Sequence, residues 1–159
     1  MEKQDITLSA SRIKTLETCS WTYWANYHLK LPQKNNSGAM RGTICHLVFE
    51  LLLSPKHKKH FKSIMKSGNI EASPAITRLV DKHVKKDKLN AEDREMIGSM
   101  ILVGLKLDFF GEKGKLGAAE QEFLIQNEKP KYKVRGFIDK NVYYEDSDTV
   151  KIVDYKSSK

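Results

Sequence analysis

Cysteine is scarce in this chain: Cys19 and Cys45 are the two present among 159 residues. Two thiols cannot build a disulfide scaffold, and a reducing, cytoplasmic compartment is the expectation. No Cys-x-x-Cys pair occurs, so the spacing of structural zinc sites is missing. No apolar run approaches the length of a membrane span, and Met1-Glu2-Lys3-Gln4-Asp5 is polar. Neither a signal peptide nor a membrane partner is therefore expected. The Gly-x-x-x-x-Gly-Lys-[Ser/Thr] loop of nucleotide-driven motors is absent, as is the Gly-x-Ser-x-Gly elbow of esterases.

Acidic residues are also in deficit, 20 against 28 Lys and Arg, for a formal net charge of +8. That sign favours a polyanionic partner, nucleic acid first. With 40% hydrophobic and 30% charged residues, the chain reads as globular, a single domain over 1–159. The charge is concentrated: residues 56–88 hold ten Lys or Arg against three acids, with His57, His60 and His83 among them. Residues 55–90 read as a basic helical insertion. A solvated helix face is its ordinary reading. A phosphate-tracking patch is the functional one, with Lys58, Lys59, Lys62, Lys85, Lys86 and Lys88, and Arg135 further on, as candidate contacts.

The first two thirds read as helix and the last third as strand. "LSASRIKTLETCSWTYWANYHLKLP" reads as one helix, capped by Ser9 or Ser11 and closed by Pro32. "GTICHLVFELLLS" predicts a buried stripe of Ile44, Leu47, Val48, Leu51 and Leu52. Asn90 and Asp93 form a capping signature for a helix carrying Met96, Ile97, Met100, Ile101, Leu105 and Phe109. Beyond the glycines at 111, 114 and 117 the period falls to two. "AEQEFLI", "YKVRGFID" and "VKIVDYK" read as an antiparallel three-stranded meander, with turns at 127–130 and 145–148. The fold class is α+β.

In a strand, residues two apart share a face, so Asp154 and Lys156 project together. Asp139 follows Gly136-Phe137-Ile138 where its own strand gives out. Pairing of these strands would bring two carboxylates and an ammonium together. Close carboxylates repel unless a cation intervenes, and an oxygen-rich site suits Mg²⁺ or Mn²⁺. Taken alone, an acid and a lysine on a sheet face are an ion pair.

"GFID", a turn and "IVDYK" together resemble the core of the PD-(D/E)XK nuclease superfamily. Asp139 stands in the place of the first acid, Asp154 of the second and Lys156 of the lysine. "RGTICHLVFELLL" is similar to the Gly-x-x-x-His helix of the RecB-like exonuclease branch, with AddB-type and CRISPR-associated members, through Gly42 and His46. The opening segment resembles that branch's Ser-capped start with its cysteine and aromatic cluster (Trp21, Tyr23, Trp24 and Tyr27 here). "AEQEF" resembles its first core strand, which carries an acid in the place of Glu120. The resemblance implies a restriction-endonuclease-like mixed sheet and metal-dependent hydrolysis of a DNA phosphodiester. His46, Asp139 and Asp154 would bind the cation, with the backbone carbonyl of Tyr155. Lys156 would be catalytic and Glu50 either a support for His46 or a surface charge. An imidazole ligand tilts the preference toward Mn²⁺.

Two features depart from that branch. Its iron–sulfur members join the first cysteine to three near the C-terminus. Here Cys19 has no such company, so an iron–sulfur cluster is not expected, and Cys19 reads as a buried residue or an orphaned ligand. The branch also continues past the lysine strand with a helix and a further strand, so the chain reads as a fragment whose sheet a C-terminal segment or partner chain would complete. Two further readings stand beside the nuclease: an inactive nuclease-fold module that binds nucleic acid or protein, and a protein-interaction role for the aromatic cluster.

Overall fold

The computed structural model describes residues 7–32, 36–127 and 132–156. In chain order the first elements are β1 (Thr7–Leu8), α1 (Ala10–Thr18), α2 (Ser20–Tyr27), α3 (Ser37–Leu53), α4 (Lys58–Ser67), α5 (Pro74–Lys86) and α6 (Ala91–Leu105). Then come β2 (Lys115–Leu116), β3 (Gln121–Asn127), β4 (Tyr132–Ile138), β5 (Lys140–Tyr144) and β6 (Thr149–Val153). The class is α+β. The chain divides into two compact units, one of Met1–Asn35 with Gln121–Ile138, the other of Asn36–Glu120 with Asp139–Lys159.

In the first unit β4 is central, parallel to β1 and antiparallel to β3, with Phe123 opposite Gly136. A Cβ at 136 would lie 2.3 Å from Cζ of Phe123, so glycine is what lets that ring cross the strand. Ser9 caps α1 by accepting from the Arg12 N–H at 3.3 Å. The single helix expected here is two, broken at Cys19, whose backbone is extended (φ −162°, ψ 112°). Thr15 and Thr18 turn their hydroxyls back onto the carbonyls of Ser11 and Lys14, each at 2.8 Å, in a stretch of weak helix formers. Neither helix buries a residue, and Trp21 is 75% exposed.

The second unit holds the main core. Ile44, Val48 and Leu52 of α3 meet Ile64 of α4, Ile76 and Val80 of α5, and Ile97, Ile101 and Leu105 of α6. Each fully buried side chain contributes about 1.5–3 kcal/mol. The stripe on α3 is turned from the expected one: Cys45 and Phe49 are buried, while Leu47 and Leu51 are only partly so. Gly104 decides this, since a Cβ there would sit 2.3 Å from Phe49 Cζ, and without one α6 closes onto the aromatic ring. Asn90 and Asp93 form the expected capping box, and Arg41 of α3 pairs with Asp93. Between Pro55 and Lys86 the chain is helical as expected, with short 3₁₀ turns at Pro55–His57 and Ile70–Ala72.

The expected meander divides. Its first two strands are β3 and β4, whose turn at 128–131 lies outside the described residues. Its third, β6, pairs with β5, a strand the sequence reading passed over, and β2 completes that sheet as β2-β5-β6. Packing decides the pairing. Val142 of β5 is fully buried, and both Gly111 and Gly114 approach so closely that a Cβ on either would come within 2.6 Å of it. Lys140 is buried too, its ammonium donating to the carbonyls of Asp108 at 2.8 Å and Phe109 at 3.1 Å, just past α6.

Candidate metal centre

Three side chains from distant parts of the chain converge in the second unit. His46 projects from the middle of α3, Asp139 occupies the one-residue gap between β4 and β5, and Glu120 stands just before β3. One ligating atom from each lies within 4.8 Å of the other two. His46 Nδ1 is 3.3 Å from Asp139 Oδ1, and both side chains are largely shielded from solvent. Asp139 Oδ2 accepts the Tyr155 N–H at 2.7 Å, and its carbonyl accepts the Glu120 N–H at 3.3 Å. Glu120 has φ +51°, the left-handed region that a non-glycine residue adopts at a cost of about 1 kcal/mol or more.

Two carboxylates and an imidazole facing one point suit a divalent cation, with oxygen donors for Mg²⁺ and a nitrogen that favours Mn²⁺. The donor set therefore fits the kind of ion that the sequence resemblance implied.

Asp154 and Lys156 lie beyond the end of β6 and pair with one another, Nζ to Oδ2 at 2.6 Å. Both are more than half exposed, and Asp154 is outside the three-residue group. The hydrogen bond that Lys156 donates to Asp154 raises the pKa of Lys156 above its usual value, so Lys156 is an ammonium at neutral pH. Tyr155, expected to offer its carbonyl, also donates its N–H to Asp139. Its ring lies 4.5 Å from that of Phe49, and burial, with Asp139 and Asp108 behind it, pushes its phenol up to about 12.

Gly42, one turn before His46, is buried and lines a cavity of about 440 Å³ with Thr43, His46, Glu120, Tyr155 and Lys156. A second cavity of about 480 Å³ shares His46, Tyr155 and Lys156 and continues along α6. Glu50 is exposed on α3, and the group facing His46 is Asp139. Among the basic candidates, Lys58, Lys59 and Lys62 on α4, Lys85 and Lys86 on α5, and Lys88 just after it are all exposed. Two acids of that stretch, Glu71 and Asp81, are both engaged by Arg94 of α6, which leaves these lysines weakly opposed. Arg135 pairs with Glu122 at 2.6 Å within the first unit. Cys19 is exposed, so the expectation of a buried thiol is corrected. Thr22, first through its side chain and then through its backbone, holds the pKa of Cys19 below the usual thiol range.

The sequence resemblance marks Glu120 as the acid of the first core strand without counting it among the cation's ligands. Its signal was the acid at the head of the "AEQEF" strand, which becomes a full member of the convergent group once β4 ends at Ile138. Among the described residues no helix is long and apolar enough to cross a membrane.

No curated protein and no solved structure matches the chain. The sequence model of the PD-(D/E)XK nuclease superfamily matches residues 7–159, nearly the whole length and every residue of the site. The chain belongs to the PD-(D/E)XK nuclease superfamily, whose members are nucleases that use divalent metal ions.

Proposed function

We propose that this protein hydrolyses DNA phosphodiester bonds with a divalent cation, Mg²⁺ or Mn²⁺, and acts as an exonuclease of the RecB-like kind. The carrying observation is the convergence of His46, Glu120 and Asp139 on one point. These three would hold the cation, with Asp154 turning from its exposed pairing with Lys156 to join them. When bound, the cation supplies Lewis acidity to a phosphate oxygen and an acidified water.

The chain's own residues do the rest. Asp139 is fixed by the Tyr155 N–H and faces His46, so the ligand pair is preorganised. Lys156, an ammonium at neutral pH by the ordinary lysine value alone, offsets charge that grows on the phosphate. The exposed lysines of α4 and α5 bind the phosphate backbone without reading sequence. The Gly42–His46 spacing on α3 supports the RecB-like assignment.

The deciding experiment incubates labelled single- and double-stranded DNA with Mn²⁺ and compares the protein with Asp139→Ala. Cleavage by the first and not the second is expected; equal cleavage by both would remove the site. A second reading, a nuclease-fold module that binds nucleic acid without cutting it, draws on the Asp154–Lys156 pairing, which keeps the second acid away from the convergent group. Salt-dependent DNA retention with no product in either metal would select it.

A further inference from the structure

The cavity of about 480 Å³ that begins at His46, Tyr155 and Lys156 continues between α3 and α6, where Phe49, Met96, Met100, Val103 and Leu107 line it. Its size falls in the range of small-ligand sites, and apart from its mouth its wall is mostly hydrocarbon and sulfur. Val103 and Leu107 are 61% and 63% exposed, an apolar surface left open to water beside a cluster of charged groups.

We propose that this groove receives an unpaired nucleobase next to the phosphodiester being cut, so that the substrate is a single strand or a frayed end. This rests on the nuclease reading and deepens it. His46, Tyr155 and Lys156 line both this groove and the smaller cavity that holds Gly42, Thr43 and Glu120. A phosphate seated at those shared residues borders both an apolar hollow and a smaller one that carries Thr43 and Glu120. Each phosphodiester carries a nucleoside on either side, so one base meets the apolar wall. A base inside a duplex is stacked and paired and cannot enter without being drawn out, whereas an unpaired base loses little by doing so. Methionine, valine and leucine offer the base faces contact without a donor or acceptor pattern, so the groove accepts any base.

Single strands carrying one abasic residue, walked through the cleavage position in Mn²⁺, test this. The abasic residue on one side of the cut bond, and not on the other, is expected to slow cleavage about tenfold. The double variant Val103→Gln, Leu107→Gln, at exposed positions that leave the core intact, should cut normal strands as slowly and lose the discrimination. Cleavage indifferent to an abasic residue on either side, or a preference for blunt duplex, would overturn the proposal. A readout without catalysis separates it from the nuclease reading: metal-free Asp139→Ala protein is titrated into a strand bearing 2-aminopurine. A fluorescence change that the double variant abolishes supports the groove even if no strand is ever cut. Binding that leaves the probe's emission unchanged, as when another protein segment fills the groove, overturns it.

Discussion

His46 Nδ1 and Asp139 Oδ1 face each other at 3.3 Å, one on α3 and the other between β4 and β5. Two ligands of one Mg²⁺ or Mn²⁺, each about 2.1 Å from the ion and at right angles, lie about 3 Å apart. The pair thus already stands near the separation that a shared cation would impose.

Replacing either member should therefore cost the cation more than the fold. Asp139→Asn and His46→Gln are each expected to weaken Mn²⁺ binding by about a hundredfold or more, since loss of an outer partner alone costs about 10–100-fold. Calorimetric titration measures this without any substrate. Thermal unfolding in metal-free buffer should move little, because both side chains lie outside the apolar core. Unchanged Mn²⁺ affinity in both variants would exclude this group as the metal centre.

Lys156 separates a role as charge from a role as base. The ordinary lysine value of about 10.4 keeps it protonated at neutral pH, and the hydrogen bond to Asp154 raises its pKa further while the two are paired. Lys156→Arg should then retain part of the cleavage rate, while Lys156→Met falls by about 10²–10³-fold with Mn²⁺ binding intact. If lysine were the base, arginine would be as inactive as methionine.

Parts of this arrangement could be read from sequence because they depend on residues near one another. The capping box of α6 needs only Asn90 and Asp93 at the right spacing, and the place of His46 on a helix follows from the apolar pattern around it. Other parts depend on tertiary packing. β5 escaped notice because its buried residues are Val142 and, against expectation, Lys140, so no apolar alternation marks it. Once β5 takes the place beside β6, Asp139 falls in the one-residue break between β4 and β5, and Glu120 can reach it. The break at Cys19 is local, yet it depends on hydroxyls choosing backbone carbonyls over solvent, which spacing alone does not reveal.

The two thiols should react at very different rates. Cys19 is exposed with a lowered pKa, whereas burial pushes Cys45 up to about 12. At pH 8 very little Cys45 is thiolate, the reactive form. Iodoacetamide followed by peptide mass analysis should find Cys19 modified at least about a hundredfold faster. Comparable labelling of Cys45 in native protein would mean that α3 does not bury it.

Lys140 links the sheet to the turn after α6, and its contribution should depend on pH. Burial is the main cause that lowers its pKa, with the Asp108 carboxylate opposing and Lys151 adding to the fall. Below the folded-state value the buried ammonium is disfavoured relative to the unfolded chain. Between that value and the usual lysine value of about 10.4, the unfolded state binds more protons, so stability rises with pH. Lys140→Met preserves most of the apolar stem but leaves the carbonyls of Asp108 and Phe109 without this donor. Water can replace the donor at the exposed Asp108 but not at the buried Phe109, so a loss of about 1–3 kcal/mol is expected at pH 7. Urea unfolding of both proteins at pH 7 and pH 10 checks both statements. The gap between wild type and variant should widen at the higher pH, because the neutral amine still donates while its desolvation cost is gone. A gap that closes as pH rises would mean that the charged form is the favoured one, and that the ammonium is better solvated than its place beneath the turn allows.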